Sequence, residues 1–167
     1  QGLTQGAQPI ISFNYGAKDM QRVTQAFKLL LISCLTYAVL IWAVAMLAPQ
    51  LFAAIFTSDA ELAQASRLAM RIYMAAGLLM GAQLACQQTF IALGNAKISL
   101  FLALLRKVFL LIPLIFILPH FFEDKVAAVF LAEPISDTIA VTTTVILFSI
   151  SFHRLKKQVE GNYDNTQ

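Results

Sequence analysis

The residues best placed to do chemistry in this sequence are two carboxylates, Glu133 and Asp137, in the segment Ala132-Glu133-Pro134-Ile135-Ser136-Asp137. They stand inside an apolar run from Val126 to about Phe152. If that run is a helix entering lipid near Val126, Asp137 lies roughly 16 Å deep at 1.5 Å per residue, close to the bilayer midplane. An unpaired carboxylate at that depth is costly, so such residues face an aqueous cavity or a partner. The i, i+4 spacing puts both acids on one helical face. Pro134 between them withdraws a backbone donor and kinks the helix. Acids that a proton can neutralise, on a bendable helix, suit a proton- or cation-coupled site. A plainer reading stands beside it: Glu133 is shallow, near the outer rim, and Asp137 only pairs with Arg106 or Lys107 of a neighbouring helix.

Arg106 falls roughly 12 Å into its own apolar run. It and Lys107 either snorkel to the nearer surface or line an inward-facing cavity. Gln83, Gln87 and Gln88 interrupt another apolar stretch, where amides either tie helices together or line a substrate pathway. Gln83 and Gln87 share a face, and Gly77 and Gly81 give a small-residue face suited to close packing. Thirteen Phe, four Tyr and one Trp offer aromatic surface to a greasy cation, though most must face lipid. Nothing points to an enzyme: there is no phosphate-binding Gly loop, no H-E-x-x-H and no nucleophile–base pair. His120 and His153 fall at expected helix ends. Cys34 and Cys86 lie in apolar runs with no metal or redox spacing, so we expect no catalytic residue, no metal and no cofactor.

The elements that must hold these residues are long and apolar. Of 167 residues, 59% are hydrophobic and only 13% charged, and the mean hydropathy is +0.72. Soluble domains average roughly 45–50% apolar and about 25% charged. A globule this small cannot bury that much apolar surface, so lipid is the solvent for much of it. Period-2 alternation is absent and the runs exceed the roughly ten residues of a barrel strand, which leaves helices. The expected fold is an all-α polytopic membrane bundle, with spans over about 23–48, 66–94, 97–119 and 126–152 and the end of a fifth helix over about 1–13. Pro49 and the polar stretch at Thr57-Ser58-Asp59 close the first full span, and Gly94-Asn95 the second. Asn14-Tyr15-Gly16 closes the opening helix. Residues 156–167 read as a polar tail, disordered from Glu160 onward.

The pI of about 9.0 does not point to nucleic acid, because the basic residues cluster at the ends of apolar runs. With four crossings, Lys18, Arg22, Lys28, Lys97, Arg154, Lys156 and Lys157 share one side. The other side has Arg67, Arg71 and Lys125 among Asp59, Glu61, Glu123 and Asp124. The positive-inside rule then places the C-terminus in the cytoplasm. The chain opens without an initiator Met, and further residues are expected before Gln1.

Several segments, in order, resemble the multidrug and toxic compound extrusion (MATE) family. Gln1-Gly2-Leu3-Thr4-Gln5-Gly6-Ala7-Gln8-Pro9-Ile10-Ile11-Ser12-Phe13-Asn14-Tyr15-Gly16-Ala17-Lys18 is similar to the Gly-rich, Pro-containing helix end found once in each six-helix half. Ala92-Leu93-Gly94-Asn95-Ala96-Lys97 resembles the turn after the tenth helix. Arg106 with Ile112-Pro113-Leu114 and Ile117-Leu118-Pro119 resembles the eleventh, where Pro113 would mark a kink, and Pro134-Ile135-Ser136-Asp137 resembles the twelfth. The likeness covers about residues 1–155 and is nearest the bacterial MepA-like branch.

The resemblance implies a two-lobed, 12-helix transporter of the bacterial plasma membrane that exports organic cations by antiport with protons or sodium. This chain would hold the end of helix eight and helices nine to twelve, its partner being the missing N-terminal lobe. Asp137, Glu133, Gln83, Gln87 and Arg106 are then the candidates for the substrate or ion pathway. Some sodium-coupled members use acids in helices seven and ten. The stretch matching helix ten has Gln83, Gln87 and Gln88 instead, so protons are the preferred coupling ion. A lipid-linked sugar flippase of the same superfamily and a non-transporting scaffold subunit are the alternatives. Four and a half helices cannot enclose a two-lobed cavity, so this chain alone is not expected to transport.

Overall fold

In the computed structural model, residues 2–47, 74–122 and 124–164 are described. Helix α1 is Gly2–Gly16 and α2 is Met20–Leu47. A 3-10 segment, Met74–Leu79, leads into α3, Met80–Ala92. Helix α4 begins as Ala96–Leu104, widens to a π-helix over Leu105–Leu111, returns to α geometry over Ile112–Ile117 and tightens at Leu118–His120. Helix α5 is Lys125–Asp164. No strand occurs among the described residues. The expected breaks at Pro49 and Thr57-Ser58-Asp59, the start of the span at 66, and Asp59, Glu61, Arg67, Arg71 and Glu123 lie outside them.

Helices α2, α4 (Ala96–His120) and α5 (Lys125–Val159) are each long and apolar enough to cross a membrane. Their outer faces carry large exposed apolar side chains, among them Leu29, Ile32, Leu40, Phe109, Phe116 and Ile146. Water would penalise such a surface; hydrocarbon does not. The chain is therefore a bundle of membrane helices.

Two of the short connections are built alike. After α3, Gly94 takes φ +81°, its N–H donates to Ile91 O, and the Asn95 N–H reaches Phe90 O at 2.8 Å. This is the crossed hydrogen-bond pattern of a Schellman cap. After α1, the Lys18 N–H donates to Tyr15 O and the Asp19 N–H to Asn14 O, both at 2.9 Å, with Lys18 itself at φ 60°. Thus α1 runs to Gly16, past the turn expected at Asn14-Tyr15-Gly16. Asp19 then caps α2 by accepting the Arg22 N–H, and Asp124 caps α5 by accepting from Val126 and Ala127.

One apolar core ties these ends together. Ile11, Met20, Val23, Leu30, Cys34, Ala85, Ala92 and Leu93 are buried in it, with Tyr15, Phe152, Leu155 and Val159 packed against them. The α1–α2 turn, the α3–α4 turn and the far end of α5 therefore lie at one end of the bundle, bringing Lys18, Arg22, Lys97, Arg154, Lys156 and Lys157 with them. Leu155 and Val159 also explain why α5 continues past the end expected at 152. His153 to Val159 are mostly good helix formers, and those two have an apolar partner surface. The tail expected to be disordered from Glu160 begins as helix, and His153 lies within α5 rather than at its end.

On α5, Ala128, Ala132, Ser136, Ala140, Thr144 and Phe148 recur every four residues and are all buried. Five small side chains in a row let α5 lie close to its neighbours over most of its length. Close approach is clearest between α2 and α3. A Cβ added at Gly81 would meet the Cys34 carbonyl oxygen at 2.7 Å and the Leu35 Cα at 3.1 Å. Gly77 has ordinary space, its nearest neighbour being the Trp42 side chain at 3.6 Å, so only Gly81 requires glycine for contact.

Candidate intramembrane charge site

The chemistry-bearing side chains converge where the middle of α4 meets the first half of α5. Pro113 has no N–H for the carbonyl four residues back and its ring crowds that carbonyl, so α4 cannot remain a regular helix there. The turns just before it are π-helical, Leu105–Leu111, and such wide turns are enriched at functional sites. A wider turn separates consecutive side chains by a smaller angle, which lets both Arg106 and Lys107 reach toward α5.

The Arg106 Nε makes a short charge-assisted hydrogen bond to Asp137 Oδ1. Its Nη2 lies 3.6 Å from Glu133 Oε1, and Lys107 Nζ donates to the same oxygen at 2.9 Å. Arg106 thus bridges two acids one turn apart, as their i, i+4 spacing permits. The backbone is tied in as well: Ser136 Oγ donates to the Arg106 carbonyl oxygen at 2.9 Å. Side-chain exposure falls from 53% at Lys107 through 18% at Arg106 and 13% at Glu133 to 8% at Asp137. The Arg106–Asp137 pair is therefore the desolvated heart of the cluster and Lys107 its wet edge. Two cations balance two anions, the condition under which buried charge is tolerable.

Pro134 is buried between the two acids. The Thr138 hydroxyl donates to its carbonyl at 2.7 Å, and similar intrahelical bonds recur at Thr142, Thr143 and Thr144. Hydroxyls that double up on helix carbonyls loosen the backbone ladder slightly and favour bending.

The two glutamine candidates stand apart from this cluster. Gln87 donates from Nε2 to Ser99 O at 3.3 Å, tying α3 to α4. Gln83 is buried at 1% exposure, and neither its Oε1 nor its Nε2 has a hydrogen-bond partner among the described residues. A buried amide left unpaired is uncommon and calls for water, an ion or a ligand group. Ser136, Ser99 and the π turn escaped the reading of the residues. A serine four residues after Ala132 signals only a small side chain, and a π turn leaves no periodicity of its own. Both cysteines are free and buried. Among the described residues no group of three His, Cys, Asp or Glu could hold a metal ion.

The sequence model of the MatE family matches residues 1–117; the acids of α5 lie beyond that stretch. No curated protein matches the chain. Among solved structures, the chain is 36% identical to the MATE multidrug transporter DinF-BH in complex with R6G, over 89% of this chain and 33% of that one, with a TM-score of 0.82. It is 17% identical to the inward-facing conformation of a multidrug resistance MATE family transporter of the MOP superfamily, over 92% of this chain and 36% of that one. An outward-facing conformation under the same description is matched at 17% identity over 92% and 35%. Both give a TM-score of 0.84. The chain spans about a third of the length of these transporters.

Proposed function

Because the chain belongs to the MatE family, we propose that it forms part of the C-terminal lobe of a multidrug exporter, which drives organic cations outward in exchange for protons or sodium. The observation that carries this reading is the charge cluster of Arg106, Lys107, Glu133 and Asp137, set where a π turn faces a proline-containing helix. While the pairs are intact, Asp137 and Glu133 have counter-ions inside the protein and need neither proton nor metal. If α4 and α5 part, each acid loses its partner in a poorly hydrated place. A carboxylate stranded there must take up a proton or a cation. Conformation and ion uptake are thereby linked in one structural element, as a secondary transporter requires.

We take the lobe, tied together by its apolar core, to move largely as one body. On this reading the local opening at α4–α5 is small and most of the motion is against the rest of the transporter. The basic end formed by Lys18, Arg22, Lys97, Arg154, Lys156 and Lys157 faces the cytoplasm of a bacterial cell, its inner membrane being the one crossed. Gln83, whose amide has no partner among the described residues, is a second point at which the pathway touches this lobe. Protons are preferred over sodium, since the stretch around Gln83 and Gln87 carries amides and no acid.

The test uses the full-length protein in inverted vesicles, with ethidium uptake into the lumen driven by a pH gradient alone and then by a sodium gradient alone. Proton-driven transport that is lost in Asp137→Asn, with the protein still folded, is the expected result. If neither gradient moved any cationic dye, the exporter reading would fall. Unimpaired proton-driven transport in Asp137→Asn would remove the coupling role of this cluster.

A further inference from the structure

We propose that a cleft between α2, α3 and α5, at the basic end of the bundle, is a binding site for one anionic phospholipid. The cleft, of about 400 Å³, is lined on α2 by Phe27, Leu31 and Leu35, and on α5 by Val145, Phe148 and Lys156, with Ala82 and Cys86 of α3 as its floor. The α2 residues are spaced by four and so form one stripe along that helix. Phe27 and Phe148 lie with ring centroids 4.6 Å apart, and Phe152 stacks on Phe148 at 5.3 Å.

Length and polarity identify the occupant. Counting from Asp137 near the midplane, Val145 lies roughly 12 Å and Lys156 roughly 28 Å further along α5 at 1.5 Å per residue, so the cleft runs from the outer part of one leaflet into its headgroup region. Along that length the lining changes in order. It is aliphatic at Leu35 and Val145, aromatic at Phe27, Phe148 and Phe152, with the one hydroxyl among them, Ser149, donating to Val145 O, and basic at His153 and Lys156. An acyl chain with its headgroup at the basic end matches this gradient, since clustered Lys and Arg at the cytoplasmic end of membrane helices attract anionic lipid. Arg154 and Lys157 on the same turn of α5, and Lys28 beside Phe27, strengthen the positive field there. A drug cation is disfavoured by the same charges. This site does not depend on the transport reading.

The test is photo-crosslinking of the full-length protein in phosphatidylcholine vesicles carrying a minor fraction of either a photoactivatable phosphatidylglycerol or a photoactivatable phosphatidylcholine. Labelled peptides are then mapped by mass spectrometry. The phosphatidylglycerol probe is expected to label residues 27–35 and 145–156 several-fold more than the phosphatidylcholine probe. Lys156→Gln should cut that excess about fivefold, the factor that one basic residue near the headgroup contributes. Val145→Trp, at a position of α5 that is 38% exposed, should abolish labelling by both probes. Equal labelling by the two lipids, or an excess untouched by Lys156→Gln, would overturn the anionic site. Absence of labelling in these segments would assign the cleft to another part of the protein.

Discussion

The α2–α3 and α4–α5 interfaces solve the same problem by opposite means. In lipid there is no hydrophobic drive between helices, so association depends on close packing or on polar links. The α2–α3 contact uses the first: Gly81 admits the Cys34–Leu35 backbone to a distance that no Cβ would allow. The α4–α5 contact uses the second, through Arg106, Lys107, Glu133 and Asp137, backed by the Ser136 bond to the Arg106 carbonyl. Backbone fitted against backbone has one good arrangement and resists sliding. Charges have alternatives, including water, protons and other ions. The first interface is thus suited to a fixed part of the lobe, and the second to a part that can exchange partners.

The largest effect expected from breaking this contrast is at the charged side. Arg106→Leu leaves Asp137 buried without its guanidinium and should cost about 3–5 kcal/mol, read as a lowered melting temperature of the full-length protein in detergent. The double substitution Arg106→Leu with Asp137→Leu should recover most of that loss, because a buried pair is often no better than an apolar one, while transport stays absent. A double variant as unstable as the single one would show that the cluster does not behave as a pair. Next in size is Gly81→Ala. Its methyl would meet backbone, which cannot rotate away, and should cost about 1–3 kcal/mol; Gly77→Ala, with ordinary space, is the control and should be near neutral. Smallest is Gln87→Leu, which removes one long bond to Ser99 O and should cost about 0.6 kcal/mol. A large loss there would move Gln87 from a tie between helices to a more central part of the bundle.

Much of the architecture was legible in the sequence because apolar run length alone decides which segments cross a membrane. Gly94-Asn95 also gave its turn away, since glycine is the usual residue at the left-handed position after a helix. The other turn misled for the same reason. Its left-handed residue is Lys18, so the punctuation at Asn14-Tyr15-Gly16 pointed too early. The far end of α5 misled because charge at Arg154, Lys156 and Lys157 looks like a boundary, whereas Leu155 and Val159 keep one face apolar. For the site, the spacing of Glu133 and Asp137 announced a shared face. Which cation each acid meets was not readable, because that is decided by the π turn in α4. The pairing with Arg106 and Lys107 was the plainer of two readings. Its location between a π turn and Pro134 is what gives it a place in the proposed exchange cycle.

The unbroken course of α5 has a practical side. It passes from Lys125 through the core to Val159 and on to Asp164 as one helix, with Leu155 and Val159 anchoring the portion beyond the charged boundary. A helical marker protein joined in register after this anchor would inherit the orientation of the lobe instead of swinging on a tether. Each residue added to the junction would turn the marker by about 100° and raise it by 1.5 Å. A transporter too small and too submerged to align well in electron cryomicroscopy images would thereby gain a rigid landmark, and the tilt of that landmark would report the angle of the lobe directly.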